Sequence, residues 1–184
     1  MGILRDREAP AEVWRRFRPV IDTFTSARDG GAWTTRVGAT AERSLELFHD
    51  LTAELTDPVR FSMTRLCDGA SWHGEQLALA DVREAVARLR VPLAVTGGVE
   101  VSVFTSDDQL SVSPQLVLHC FGTTDRWRPL LVARELREQR ASPDRRWARS
   151  REDFAVSPAL DVVLDSIAAT LNLARHEAGP PSGA

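Results

Sequence analysis

Apolar and polar residues alternate along the segment 99–118 in two runs that agree on one hairpin. A two-residue turn at Asp107 and Asp108 would place Val103 opposite Val112 and align the apolar positions of both runs. The valines then share one face, and mostly serine, glutamine and glutamate side chains share the other, which is typical of an antiparallel sheet packed on one side. The segment therefore predicts a hairpin with one buried face.

A second hairpin is predicted around a turn at Asp68 and Gly69, because this pair tolerates the positive φ angles of a tight turn. One face of this hairpin would hold Val59, Phe61, Met63 and Trp72. The other face would hold Ser62, Thr64, His73 and Glu75. The same division into an apolar and a polar face thus recurs in both predicted hairpins.

Five segments carry apolar residues at helical spacing. They cover residues 10–24, 41–55, 82–89, 129–139 and 158–171. Ser157 suits an N-cap and Pro158 suits the first position of the last helix. We interpret the two glycines at 30–31 as a break after the first helix, and residues 91–96 as a further strand.

Together these elements predict one α+β domain: an antiparallel sheet of about four or five strands built from hairpins, packed with flanking N- and C-terminal helices. The domain is expected to span residues 10–176, after a flexible N-terminus at 1–9 and before a disordered tail at 177–184. A length of 184 residues with 43% hydrophobic content is ordinary for one globular domain.

The amino-acid composition limits the reactions and ligands that the chain can support. All 23 basic residues are arginine, and without a lysine amine the chain cannot form a Schiff base or supply a Walker-type lysine. Cys67 and Cys120 lack the spacing of a zinc site or a disulfide framework, so we expect neither a metal nor a cofactor. A net charge of −3 argues against broad nucleic-acid affinity, and no apolar run approaches the length of a membrane span. These features favour a cytoplasmic protein with the arginine-rich composition of a bacterial-like, GC-rich coding sequence.

His73 and Glu75 are the first candidates for chemistry, because residues two apart on a strand point the same way. A histidine with a carboxylate could transfer protons or contribute to a metal site, but no third ligand has diagnostic spacing. His119, beside Cys120 in the most apolar run, is the other candidate. A solvated strand face explains the first pair more simply, and a hydrogen-bonded, partly buried imidazole explains His119. His176 is expected near the end of the last helix, with no link to chemistry.

Between residues 134 and 151 the chain has seven arginines and three acidic residues, a local net charge of +4. The binding candidates in and near this segment are Trp127, Arg145, Arg146, Trp147 and Arg149. Arginine and tryptophan together could anchor an acidic protein, or stack on bases and contact phosphates. The alternative is a solvated segment whose arginines pair with neighbouring acidic residues, including those of the 41–55 helix.

Phe104 is the remaining binding candidate. With Val117 and Phe121, it gives the outward face of the 99–118 hairpin more apolar area than a wet sheet face usually has. Either a helix covers this face, or the face forms a pocket or a partner surface.

We therefore expect a non-enzymatic binding module, a regulatory, adaptor or inhibitor-like protein acting through protein–protein contacts or self-association. Two alternatives stay open. One is a small-molecule binder or enzyme that uses the polar strand face around His73 and Glu75, and the other is nucleic-acid binding through residues 137–151. No membrane partner is expected.

Overall fold

A computed structural model describes residues 22–140 and 157–176 of the chain. The predicted N-terminus at 1–9, most of the predicted first helix and the tail at 177–184 lie outside the described residues, as do residues 141–156. The described part is an α+β fold with nine strands and four helices.

The strands are β1 (Thr23–Asp29), β2 (Ala32–Gly38), β3 (Val59–Arg65), β4 (Ser71–Leu77), β5 (Val99–Phe104), β6 (Asp108–Val112), β7 (Leu118–Gly122), β8 (Arg137–Glu138) and β9 (Ala174–His176). The helices are α1 (Ala41–Thr52), α2 (Leu79–Thr96), α3 (Trp127–Ala133) and α4 (Pro158–Thr170). All strands form one sheet in the order β8-β1-β2-β7-β6-β5-β3-β4-β9. Only the β1–β8 pair is parallel among these. The expectation of a four- or five-stranded antiparallel sheet was therefore wrong in size and in the direction of one pair.

The first correction concerns Phe24, which belongs to β1 and not to a helix. Gly30 and Gly31 both have positive φ angles and form the turn between β1 and β2, so the break expected after a helix is instead a hairpin turn. Phe24 pairs with Val37, and both side chains are buried in the core.

The β5–β6 hairpin exists, but its turn lies one residue earlier than predicted, at Ser106 and Asp107. Val103 consequently pairs with Leu110, two positions from the predicted partner, Val112. A shift of two residues leaves every side chain on its predicted face, because the side-chain period of a strand is two. In the β3–β4 hairpin the predicted apolar face is likewise the buried one.

Helices α1 and α4 occupy the predicted segments, and the Ser157 hydroxyl accepts a hydrogen bond from the Leu160 amide at 3.4 Å as an N-cap should. Helix α2 is longer than predicted. It continues through Pro92 to Thr96, so residues 91–96 are not a strand. Helix α3 is shorter than predicted, because it ends at Ala133 and the chain then joins the sheet as β8.

The hydrophobic core lies on one face of the sheet. All four helices contribute apolar side chains to one buried cluster, and the strands contribute alternate residues such as Phe61, Val103 and Leu110. We call the opposite side the far face. No far-face strand residue belongs to this cluster among the described residues. No helix in the described ranges is long and apolar enough to cross a membrane.

Candidate functional site

The far face carries two straight rows of side chains, because paired positions on neighbouring strands line up across the sheet. The first, which we call the polar row, runs from β2 to β4 and consists of Arg36, His119, Ser111, Ser102, Ser62 and His73. The second, which we call the aromatic row, runs from β2 to β3 and consists of Thr34, Phe121, Gln109, Phe104 and Arg60. Each row contains one arginine, Arg36 or Arg60, and neither row contains a carboxylate.

The centre of the polar row is held by hydrogen bonds between side chains. The Ser102 and Ser111 hydroxyl oxygens are 2.7 Å apart, and Gln109 Nε2 donates to the Ser111 hydroxyl at 2.7 Å. Both serines are buried, with exposed fractions of 2% and 5%. Because their polar atoms are satisfied across two strands, the centre of the far face is a preorganised platform.

His119 lies flat beside Phe121, with ring centres 6.2 Å apart and planes inclined by 10°. Burial lowers the pKa of His119 below its ordinary value, and the positive charge of Arg36 lowers it further. The imidazole is therefore neutral at physiological pH and adds an aromatic ring to the far face. Its partial burial matches one part of the sequence interpretation, which also expected the imidazole to be hydrogen-bonded.

Phe104 and Phe121 are half-buried and lie outside the core cluster. The Arg60 guanidinium lies over the Phe104 ring, 5.4 Å from its centre, in cation–π geometry. Two strand spacings separate the phenylalanines, so their Cα atoms are about 10 Å apart, with Gln109 between them. The far face thus presents aromatic rings next to arginine on a sheet surface that none of the described helices packs against.

The candidate catalytic residues do not converge. His73 on β4 and His119 on β7 are separated by four strand spacings, or about 19 Å, so they cannot act on one reacting atom. Glu75 is exposed in a bulge that interrupts the β3–β4 pairing. The His73 ring hydrogen-bonds to the Ser71 hydroxyl at 3.0 Å. His73, Glu75 and His119 therefore do not assemble one acid–base site.

The arginines and tryptophans of the arginine-rich segment and its neighbourhood do not form one site in the described structure. Some lie in the core or at the surface, and the others lie outside the described residues. Trp127 is 1% exposed, and its Nε1 donates to the Phe121 carbonyl at 3.0 Å, so this residue presents no contact surface. Arg134 lies 3.5 Å from a carboxylate oxygen of Glu54, as the solvated-segment alternative suggested. The candidates Arg145, Arg146, Trp147 and Arg149 lie outside the described residues.

Two ion pairs that sequence reasoning did not identify link separate elements of the fold. Each is buried or partly buried. Asp108 accepts a hydrogen bond from Arg126 at 2.9 Å, and Arg126 also donates to the Glu54 carbonyl at 2.6 Å. Arg65 joins the β3–β4 turn to α4 through Asp161, at 2.5 Å. No sequence motif signals these pairs, because each joins residues from separate elements.

One small cleft and the metal-binding side chains of the described residues bear on ligand binding. A cleft between α2 and α4, lined by Glu84, Arg88 and Ile167, has a volume of about 30 Å³, enough for one or two water molecules. No group of three or more metal-binding side chains occurs within residues 22–140 and 157–176.

Comparison with models of known protein families, with curated proteins and with solved structures finds no match to this chain. Its function therefore has to be inferred from the geometry and chemistry of the far face.

Proposed function

We propose that the protein is a non-enzymatic binding module that recognises a protein partner through the far face of its sheet. One observation carries the proposal: Phe104 and Phe121 stand outside the core on a sheet surface that no described helix covers. Aromatic residues and arginine are the side chains enriched at the centres of protein interfaces. Here they occupy adjoining positions in the aromatic row, together with Gln109.

The rigidity of this surface supports recognition. Far-face side chains project from hydrogen-bonded strands, and the Ser102–Ser111 pair ties the two central strands together. A surface that is already ordered loses little conformational entropy on binding, so more of the contact energy appears as affinity.

The charge pattern favours a partner segment that combines apolar and acidic side chains. Arg60 lies at one end of the aromatic row, beside Phe104, and the two rows contain no carboxylate. Glu100 lies one far-face position beyond Ser102, outside the rows. An acidic partner would thus meet the positive charge of Arg60 at one end of the aromatic row and apolar rings at its centre.

The other functional candidates have less support. An enzyme or small-ligand site around His73 and Glu75 is less favoured, because Glu75 lies in a bulge and His119, the other catalytic candidate, lies about 19 Å from His73. Of the segment proposed for nucleic-acid binding, only residues 137–140 are described. A net charge of −3 gives no general attraction to nucleic acid.

Selection of displayed peptides against the immobilised full chain tests the proposal and does not require an identified partner. We expect selected peptides to combine aspartate or glutamate with aliphatic or aromatic residues. Their binding should fall at least about tenfold in Phe104→Ser and in Arg60→Glu, since the first change removes a central aromatic contact and the second reverses the charge beside it. Val162→Ser on α4 is the matched control, because Val162 is an exposed apolar residue, 69% accessible, on the helical side.

Peptides that bind Phe104→Ser and wild type equally would contradict the proposal. Selection of peptides without acidic residues would contradict the charge argument while leaving the surface assignment intact. Binding that Val162→Ser abolishes would assign recognition to the helical side instead.

A further inference from the structure

Two histidines meet at one edge of the sheet, although 103 positions separate them in the sequence. His176 lies on β9, opposite Ser71, and His73 lies on β4, opposite Ala174. The two imidazoles are therefore diagonal neighbours on the far face, with ring centres 5.5 Å apart and planes inclined by 61°. The sequence pattern placed His176 on a helix, where it could not have been paired with His73.

We propose that His73 and His176 form a binding site for a divalent transition-metal ion such as Zn²⁺, Ni²⁺ or Cu²⁺. This site is independent of the peptide recognition proposed above, because it requires neither Phe104 nor Arg60. Neutral imidazole is a preferred ligand for these metals.

The separation of the rings fits a shared ion. A zinc–nitrogen bond of about 2.0–2.1 Å places the metal about 3.2 Å from each ring centre. At a tetrahedral angle, two such rings have centres about 5.2 Å apart. The observed 5.5 Å is within a few tenths of an ångström of this value. For chelation the rings would have to rotate out of their edge-to-face arrangement so that one nitrogen of each faces the ion.

Within the described residues the site has two protein ligands. No group of three or more histidine, cysteine or acidic side chains suited to a metal occurs there, so water can fill the remaining positions. The Ser71 hydroxyl hydrogen-bonds one nitrogen of His73 at 3.0 Å, which leaves the other nitrogen of that ring for a metal. Both histidines are exposed, so an ion can reach them from solvent.

Metal binding at this position would fasten the edge of the sheet. Strand β9 has three residues and pairs only with β4 within the described sheet. An ion held jointly by His73 and His176 would add a cross-strand link to this short pairing. We therefore expect bound metal to stabilise the attachment of β9.

Titration calorimetry with NiCl₂, ZnCl₂ or CuCl₂, on the full chain without a polyhistidine tag, tests the site. We expect one ion per chain, and no binding of Mg²⁺, which prefers oxygen ligands. Removal of either ligand, in His73→Gln or His176→Gln, should weaken binding about 100-fold, because one ligand then no longer supports the other. His49→Gln is the matched control, since His49 lies on α1, beside Asp50.

Nitrogen-15 NMR of the wild-type imidazoles gives a second readout that does not depend on any variant. Metal addition should shift the ring nitrogens of His73 and His176 together and leave those of His119 unchanged. Absence of binding up to about 1 mM metal, or affinity unchanged in both glutamine variants, would overturn the proposal. Peptide binding in the Phe104→Ser experiment would be unaffected by either result, so the two proposals fail separately.

Discussion

Phe61 and Phe104 lie on the neighbouring strands β3 and β5 but on opposite faces of the sheet, and they provide a matched test of the fold. Phe61 is 1% exposed and belongs to the core cluster, whereas Phe104 is half-buried and lies outside it. Truncation of a core phenylalanine removes its transfer free energy and leaves a cavity. Phe61→Ala should therefore lower the free energy of unfolding by about 3–5 kcal/mol.

Phe104→Ala leaves no enclosed cavity, because its ring contacts solvent and the Arg60 guanidinium. The loss is limited to part of the ring's burial and a cation–π contact of about 0.5–1 kcal/mol. We expect a total cost of about 2 kcal/mol, so the two variants should differ by about 1–3 kcal/mol.

Urea denaturation followed by circular dichroism measures both values, and equal m-values would show that the variants unfold from comparably compact states. If Phe61→Ala does not fold, the milder pair Phe61→Leu and Phe104→Leu preserves the comparison. Equal destabilisation at the two positions would refute the reasoning. It would mean that the far face is a second buried layer, which could not receive a partner.

Three further outcomes follow from local geometry. Gly122→Ala should lower the free energy of unfolding by about 2–3 kcal/mol in urea denaturation, because a Cβ there would lie 2.7 Å from the Asp108 carboxylate. An unchanged denaturation midpoint would contradict this. The lowered pKa of His119 means that its neutral form is favoured in the folded state. Wild type should therefore lose stability relative to His119→Gln as pH falls below about 6.5. A stability difference that stays constant between about pH 8 and about pH 5 would contradict the burial argument. Burial raises the pKa of the Cys120 thiol, so a thiol reagent should modify Cys67 in the native protein and Cys120 only after denaturation. Rapid labelling of both cysteines in the native protein would contradict the burial of Cys120.

The faces of the strands could be predicted from sequence because they depend only on a period of two. Val103 faces the core in the predicted register and in the observed one, although its partner changes from Val112 to Leu110. Helix α4 could be predicted because a serine–proline start and a complete apolar stripe agree.

The missed elements depend on tertiary contacts. Phe24 continues a helical spacing from the preceding residues, yet it pairs with Val37 in a hairpin that the sequence interpretation did not include. Proline is ordinarily unfavourable inside a helix, yet α2 continues through Pro92 where the sequence pattern predicts a strand. Strands β8 and β9 have two and three residues, too few for alternation to be recognised.

The candidate site was recognised in part. Phe104 and Phe121 could be identified as outward-facing from alternation alone, and the structure keeps both outside the core cluster. Their alignment with Gln109 and Arg60 depends on the order of the strands, because β3, β5, β6 and β7 come together only in the folded sheet. Trp127 could not be assigned to the core from sequence, since its burial depends on the packing of α3 beneath Gly122.

Hydroxyl-radical footprinting of the full chain, with and without a selected acidic peptide, tests the role of the far face most directly. Without peptide, Phe104 and Phe121 should be oxidised faster than the core residue Phe61, and bound peptide should protect these two residues. Protection at the exposed helical residues Val91 and Val162, with unchanged oxidation of Phe104 and Phe121, would contradict the assignment of recognition to the far face.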